Sequence, residues 1–324
     1  MIEKYYDGAI EQVAAGLGTV EKNHLLVRYS GQFSVENLND TKQLEKNEDI
    51  FVQVHEFETG EITCAYEPYL TMICDGFRRY MTGTFEEFME TCDVYYLHRP
   101  VLLGYFNQDN TGREEIILLD EVAYEQERML AALERMLCAI ADRHPVLFVL
   151  NRFQLASKST MQLTARFLKC ENCNIGLVLG VSDIQAMPEF LVPDWEMLYE
   201  TLDDGSKIYH IGNSGRKKEE TIDDEKYVDY GSEKVYRKLQ NMVEFLDFDQ
   251  AAYYLETIER KIKFDNLLVD DAARFRMWLL FVKVSILRQD IPKALEICED
   301  LEKIHLAGKE EECAYEQDYL IATA

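Results

Sequence analysis

The segment HPVLFVLNRFQLASKST, residues 144–160, constrains the fold more than any other part of the chain. Val146 to Leu150 is an unbroken apolar run of strand length. A strand with one wet face alternates apolar and polar residues. A continuous run instead fits a strand covered on both faces, as in a parallel sheet flanked by helices. Ile175 to Leu179 is a second run of this kind. The first run ends in Asn151 and Arg152, a neutral amide and a positive charge. They stand where an open α/β sheet would bind its ligand, at the carboxyl end of a strand.

Around these two strands the first 215 residues alternate short apolar runs with amphipathic stretches, the pattern of an α/β fold. Ile2 to Leu17, Tyr69 to Tyr80 and Glu121 to Ala141 carry apolar residues at helical spacing; the last places Met129, Leu133, Met136 and Ile140 on one face. His24 to Arg28, Ile50 to Val54 and Lys207 to Ile211 are further strand candidates, so the expected sheet has about five strands. Ile116 to Leu119 fits a strand or the start of a helix. The expected division is an α/β domain over 1–215, an acidic, glycine-bounded linker over 216–231, and an all-α domain over 232–324.

The all-α part reads as two overlaid helix pairs. One runs from Tyr236 through a turn at Asp247 to Asp249 and on to Ile262; the other runs from Trp278 through Gln289-Asp290 to Ile304. The overlay aligns Ala252-Tyr253-Tyr254-Leu255 with Ala294-Leu295-Glu296-Ile297. Tandem helix–turn–helix units are the mark of an α-solenoid, although the spacing exceeds the tetratricopeptide period of about 34 residues. A last helix is expected from Lys309 to Ala324 without a polar capping face, so the solenoid reads as continuing past the end of the sequence.

Charge excludes some function classes. With 60 acidic and 34 basic residues the chain carries a formal charge of −26, which phosphate backbones and anionic lipid surfaces would repel. No nucleic-acid or membrane partner is expected. Met1-Ile2-Glu3-Lys4 leads into polar sequence rather than a signal peptide, and no apolar run reaches the roughly 20 residues of a bilayer span. Most of the eight cysteines lie in apolar periodic stretches, as reduced core cysteines do, so the expected location is the cytoplasm. Cys170 and Cys173 form the one CxxC, and no second cysteine or histidine pair follows at ligand spacing. Neither a metal nor a redox role is expected of them.

Four segments resemble the AAA-like ATPase module of STAND-class bacterial signalling ATPases, a P-loop NTPase fold followed by helical repeats. Ala65-Tyr66-Glu67-Pro68-Tyr69-Leu70 is similar to that family's "YEPYLP", and Arg99-Pro100 with Leu102-Leu103 to its next hydrophobic segment. His144 to Leu150 with Gln154 and Ala156 is similar to "RPVLLVLDDLQWAD", and Asn174 to Gly180 to "VLLVGTYR". The likeness runs from about Ile2 to Gly212 and rests on order and spacing. It implies a P-loop NTPase-like parallel sheet followed by a tetratricopeptide-like α-solenoid.

The departures from that family are chemical. Its phosphate loop, GxxxxGK[ST], is absent from the sequence; in its place stands a stretch with Ser30, Gly31, Gln32 and Ser34, which lacks the lysine. Asn151 and Arg152 replace the acidic pair that would hold Mg²⁺ and polarise water, and Ser157 replaces a further acid. Ser30, Gly31, Gln32 and Ser34 are thus candidates for a degenerate nucleotide site, with Asn151 and Arg152 at the degenerate metal position. Gly31 also fits an ordinary turn, Arg152 a pairing with a nearby acid, and Asn151 a bond that closes the old site. His55 with Glu56, and His144, are acid–base candidates that lack a paired nucleophile. Tyr253, Tyr254 and Trp278 fit a peptide groove or, more ordinarily, the helical core.

By that resemblance the expected function is a non-catalytic regulatory or scaffold protein of bacterial signalling. A pseudo-ATPase platform would carry repeats that bind a protein partner, with no catalytic residue, resident metal or cofactor. The alternative is a nucleotide-binding switch or slow ATPase that takes ATP or ADP through non-standard residues.

Overall fold

A computed structural model describes residues 2–17, 24–29, 49–58, 60–108, 121–170, 173–182, 187–203, 207–211, 229–265 and 267–304. The chain divides into two compact units: residues 1–111 with 128–226, and residues 112–127 with 227–324. The second unit thus includes residues 112–127, a segment assigned by sequence to the α/β part. Ile116 to Leu119, most of the expected linker and the expected last helix lie outside the described residues.

The first unit is α/β, as its alternating pattern implies. Its strands are β1 (Leu25–Tyr29), β2 (Phe51–Glu56), β3 (Val146–Asn151), β4 (Ile175–Ser182) and β5 (Lys207–Ile211). All pair in parallel, in the order β2-β3-β4-β1-β5. Every residue of β3 and β4 is buried, which accounts for their unbroken apolar runs.

Helix α1 (Ile2–Gly16) packs on one face. Its Ile10 and Val13 join Leu25, Val27, Leu147, Val149 and Val178 in a single core. Gly176 sits beneath it: a Cβ there would come within 2.6 Å of Val13 Cγ1 and 3.2 Å of Leu17 Cδ2. The opposite face carries α2 (Tyr69–Tyr80), the part of α5 (Val122–Ala141) from Arg128 onward, and α6 (Lys158–Lys169), with α3 (Phe85–Thr91) and α4 (Arg99–Asn107) packed outside α2. Tyr69 is fully buried there, edge-on to Phe148 at 4.7 Å and to Phe167 at 5.4 Å. Its hydroxyl bonds Thr164 at 2.6 Å. Thr164 in turn donates to the Thr160 carbonyl, so a buried phenol is satisfied within the core. Helix α7 (Val192–Asp203) packs on α6 and leads into β5.

Strand order locates the place where a ligand would bind. The chain leaves β1 towards β2 at one edge, whereas it leaves the adjacent β4 towards β5 at the other. Neighbouring strands whose connections diverge in this way make a switch point, with a crevice at their carboxyl ends.

The second unit contains α8 (Glu233–Glu244), α9 (Phe248–Phe264), α10 (Asp271–Leu287) and α11 (Ile291–Leu301). Its two helix–helix corners share one geometry. Leu246 and Gln289 both have left-handed backbones, with φ of 66° and 62°. Asp247 and Asp290 follow them at φ, ψ of −88°, 61° and −91°, 70°. Their amides bond Met242 O at 2.7 Å and Ser285 O at 2.8 Å, five residues back in each case. Asp247 therefore corresponds to Asp290, and Ala251 to Ala294, both fully buried. This moves the sequence overlay, which aligned Ala252 with Ala294, by one residue. Apolar spacing tolerates that shift; the corner does not.

Among the described residues no helix is long and apolar enough to cross a membrane.

Candidate functional site

Four strands bring polar side chains to the carboxyl edge of the sheet. Glu56, Asn151, Ser182 and Tyr29 end β2, β3, β4 and β1, and the registers Glu56↔Asn151 and Tyr29↔Ser182 set them on one face. Tyr29 and Asn151 reach across β4, where the phenol donates to Asn151 Oδ1 at 2.7 Å. Both side chains are buried, at 1% and 0% exposure. Burial is the main cause that pushes the Tyr29 hydroxyl up to about 12, and the nearby Arg152 charge opposes it in part.

Arg152 follows Asn151 with a left-handed backbone, φ 53°. An arginine gains nothing there intrinsically, so the surroundings hold it in place. Its Nε lies 3.3 Å from Glu56 Oε1, and both side chains are less than a quarter exposed. The next turn is tied to the sheet by Gln154, whose amide nitrogen donates to the Ser182 carbonyl at 3.1 Å and whose oxygen accepts from the Ser182 amide at 3.3 Å. That pairing of a buried amide with a backbone strand end fixes where Arg152 emerges.

Ser157 closes the turn as the N-cap of α6, its hydroxyl accepting from the Thr160 amide at 3.2 Å. Aspartate and serine are both good N-caps. The serine where the resembled family has an acid thus has a structural duty here. Thr160 donates onward to the Glu67 carbonyl at 2.9 Å, and the Tyr66 amide donates to Ser159 Oγ at 3.0 Å. These bonds tie the segment before α2 to the start of α6.

Among the described residues the mouth of the sheet pairs phenol with amide, guanidinium with carboxylate, and amide with backbone. A divalent cation beside Asn151 would meet a neutral oxygen already accepting a hydrogen bond, and the Arg152 guanidinium nearby. An anion would find in Arg152 a group that pairs well with phosphate, once Glu56 released it.

Of the residues singled out from sequence, Asn151 and Arg152 lie at this mouth, whereas Ser30, Gly31, Gln32 and Ser34 lie outside the described residues. His55 is near the carboxyl end of β2. His144 precedes β3 at the opposite end and stacks on Tyr80 at 4.2 Å, so the two histidines cannot serve one site. Trp278 is buried, 6.4 Å from the Phe281 ring, and belongs to the core rather than to a groove. Tyr253 and Tyr254 are half-buried on α9. Glu56, an acid–base candidate beside His55 in the sequence, lies at this mouth as well; Tyr29, which completes the cluster, falls one residue past the expected first strand.

A further cluster lies at the amino end of the sheet. The CxxC pair does have a companion: Cys138 of α5 joins Cys170 and Cys173, and the three Sγ atoms lie within 4.8 Å of one another. A scan for ligand spacing along the chain misses a residue that a helix brings in from elsewhere. Neither a family model nor a curated protein matches the sequence.

Proposed function

We propose that the chain is a non-catalytic regulatory or scaffold component of bacterial signalling, with an α/β platform derived from a P-loop NTPase and tetratricopeptide-like helix pairs that engage a protein partner. The observation that carries this reading is Arg152, which pairs with Glu56 while Asn151 accepts a hydrogen bond from Tyr29. In a hydrolase of this kind the same strand end would present carboxylates to Mg²⁺ and water. Here an internal ion pair and an internal hydrogen bond use the groups that remain. The corner geometry shared by the two helix pairs supports a repeat in the second unit.

The alternative is a nucleotide switch without hydrolysis, favoured by the left-handed Arg152, since such conformations concentrate at functional sites. A thermal-shift titration with ATP, ADP and GTP, with and without Mg²⁺, separates the two. A ligand at a hundredfold excess over its dissociation constant adds about 2.7 kcal/mol to stability. The scaffold reading expects no shift at millimolar nucleotide and no phosphate release. A shift lost in Arg152→Ala supports the switch, and hydrolysis by the purified chain refutes the scaffold.

A further inference from the structure

The three cysteines converge from three elements. Cys138 lies in α5, Cys170 caps the end of α6, and Cys173 is buried just ahead of β4. They stand at the amino end of the sheet, opposite the mouth. Two contacts lie close by: Arg166 of α6 pairs with Glu134 of α5 at 2.9 Å, and the Val146 amide bonds the Asn174 carbonyl at 3.0 Å. The other described cysteines, such as Cys74, Cys92 and Cys298, belong to no such group.

Three sulfurs this close are costly as free thiolates, because each negative charge disfavours the next. Cys173 Sγ donates to the Cys170 carbonyl at 3.6 Å. A cation reverses that balance, since it is attracted to every thiolate it collects. Around a tetrahedral Zn²⁺ with Zn–S bonds of about 2.3 Å, the sulfurs stand about 3.8 Å apart. The observed spread of 4.8 Å or less closes to that distance by side-chain adjustment of about an ångström.

We propose that Cys138, Cys170 and Cys173 form a three-thiolate site for a thiophilic d¹⁰ cation, Zn²⁺ or Cu⁺. On binding, three S–H bonds break, three S–metal bonds form and the protons pass to solvent, with no change of oxidation state. Zn²⁺ would complete a tetrahedron with water, whereas Cu⁺ is satisfied by three sulfurs in a plane. The metal would join α5, α6 and the start of β4, so its duty is structural and independent of the reading at the mouth. Affinity rises with pH, because each thiol must lose its proton.

The test uses the full chain, reduced and stripped with a chelator, then titrated separately with Zn²⁺ and with Cu⁺ under anaerobic conditions. Stoichiometry is read by native mass spectrometry, and Co²⁺ serves as a spectroscopic probe of tetrahedral thiolate ligation. One equivalent is expected for the wild type and for Cys298→Ser, a buried cysteine elsewhere. Cys138→Ser and Cys170→Ser replace half-buried residues, so they should keep the wild-type circular dichroism. Each should lose affinity by at least about 100-fold, the upper end of what loss of a supporting outer-shell group costs. Binding of either ion with this pattern supports the site, and the ion bound identifies the cation. A reduced wild type that binds neither ion, or a Cys138→Ser variant of unchanged affinity, overturns it.

Discussion

Tyr29 and Asn151 terminate strands that do not touch, and the 2.7 Å bond between them spans the end of the β4 strand that separates them. It is a buried clasp across three strands. A neutral buried hydrogen bond contributes about 0.5–1.5 kcal/mol net, and its partners couple by about 0.5–3 kcal/mol when tested together. Tyr29→Phe is expected to cost about 1 kcal/mol and Asn151→Ala more, since it also leaves a small cavity. Combining the two should cost less than the sum. Denaturant unfolding of the four proteins checks this; strict additivity would mean that the bond is energetically idle.

The same tyrosine makes stability fall in alkali. An unfolded tyrosine ionises near pH 10, whereas Tyr29 keeps its proton to about 12. Its contribution is therefore complete below about pH 10 and disappears as pH rises to 12, by up to about 1.4 kcal/mol per pH unit. Tyr105, also raised to about 12 by burial, acts in the same window. Tyr29→Phe removes one of these terms. The gap between wild type and variant at about pH 8 should thus narrow or reverse by about pH 11.5, as read from urea midpoints at each pH. A constant gap would place the Tyr29 ionisation at its ordinary value.

How much of this was visible beforehand follows from what each signal measures. Strands β3 and β4 were plain because burial on both faces requires apolar residues throughout, and helix α2 because its apolar face repeats at helical spacing. The cluster at the mouth was half visible. Asn151 and Arg152 stood out by their own chemistry, but Glu56 becomes a partner only through the register Glu56↔Asn151, which needs the strand order. Cys138 was invisible beside Cys170 for the same reason: a contact between elements leaves no periodic trace. The repeat register went wrong by one residue because Ala251 and Ala252 are both small and buried, and only the backbone at Leu246 distinguishes them.

Two glycines should respond in opposite directions to alanine. Gly8, in α1, has open space where a Cβ would stand, with no neighbouring atom within 4 Å, so Gly8→Ala gains helix propensity of up to about 1 kcal/mol. Gly176 lies under that helix, and its new methyl would press on the stiff branched side chain of Val13. Overpacking of this kind costs about 1–3 kcal/mol. Thermal midpoints should rise for the first variant and fall for the second; a rise for both would mean that α1 does not press on β4.

The paired corners of the helical unit make a similar contrast. Gln289 is exposed with φ 62°, a conformation that costs an L-residue roughly 1 kcal/mol and glycine almost nothing. Gln289→Gly should therefore stabilise the second unit by up to about 1 kcal/mol, less the entropy glycine adds to the unfolded chain. Leu246 has the same backbone at φ 66°, but its side chain is 2% exposed. Leu246→Gly relieves equal strain while it forfeits a buried leucine worth about 2–5 kcal/mol, so it must destabilise. Opposite signs at two positions with one backbone separate strain from burial, provided both variants keep the wild-type helical circular dichroism. A destabilised Gln289→Gly would mean that the left-handed corner is not strained, and the geometric match between the two helix pairs would lose its energetic meaning.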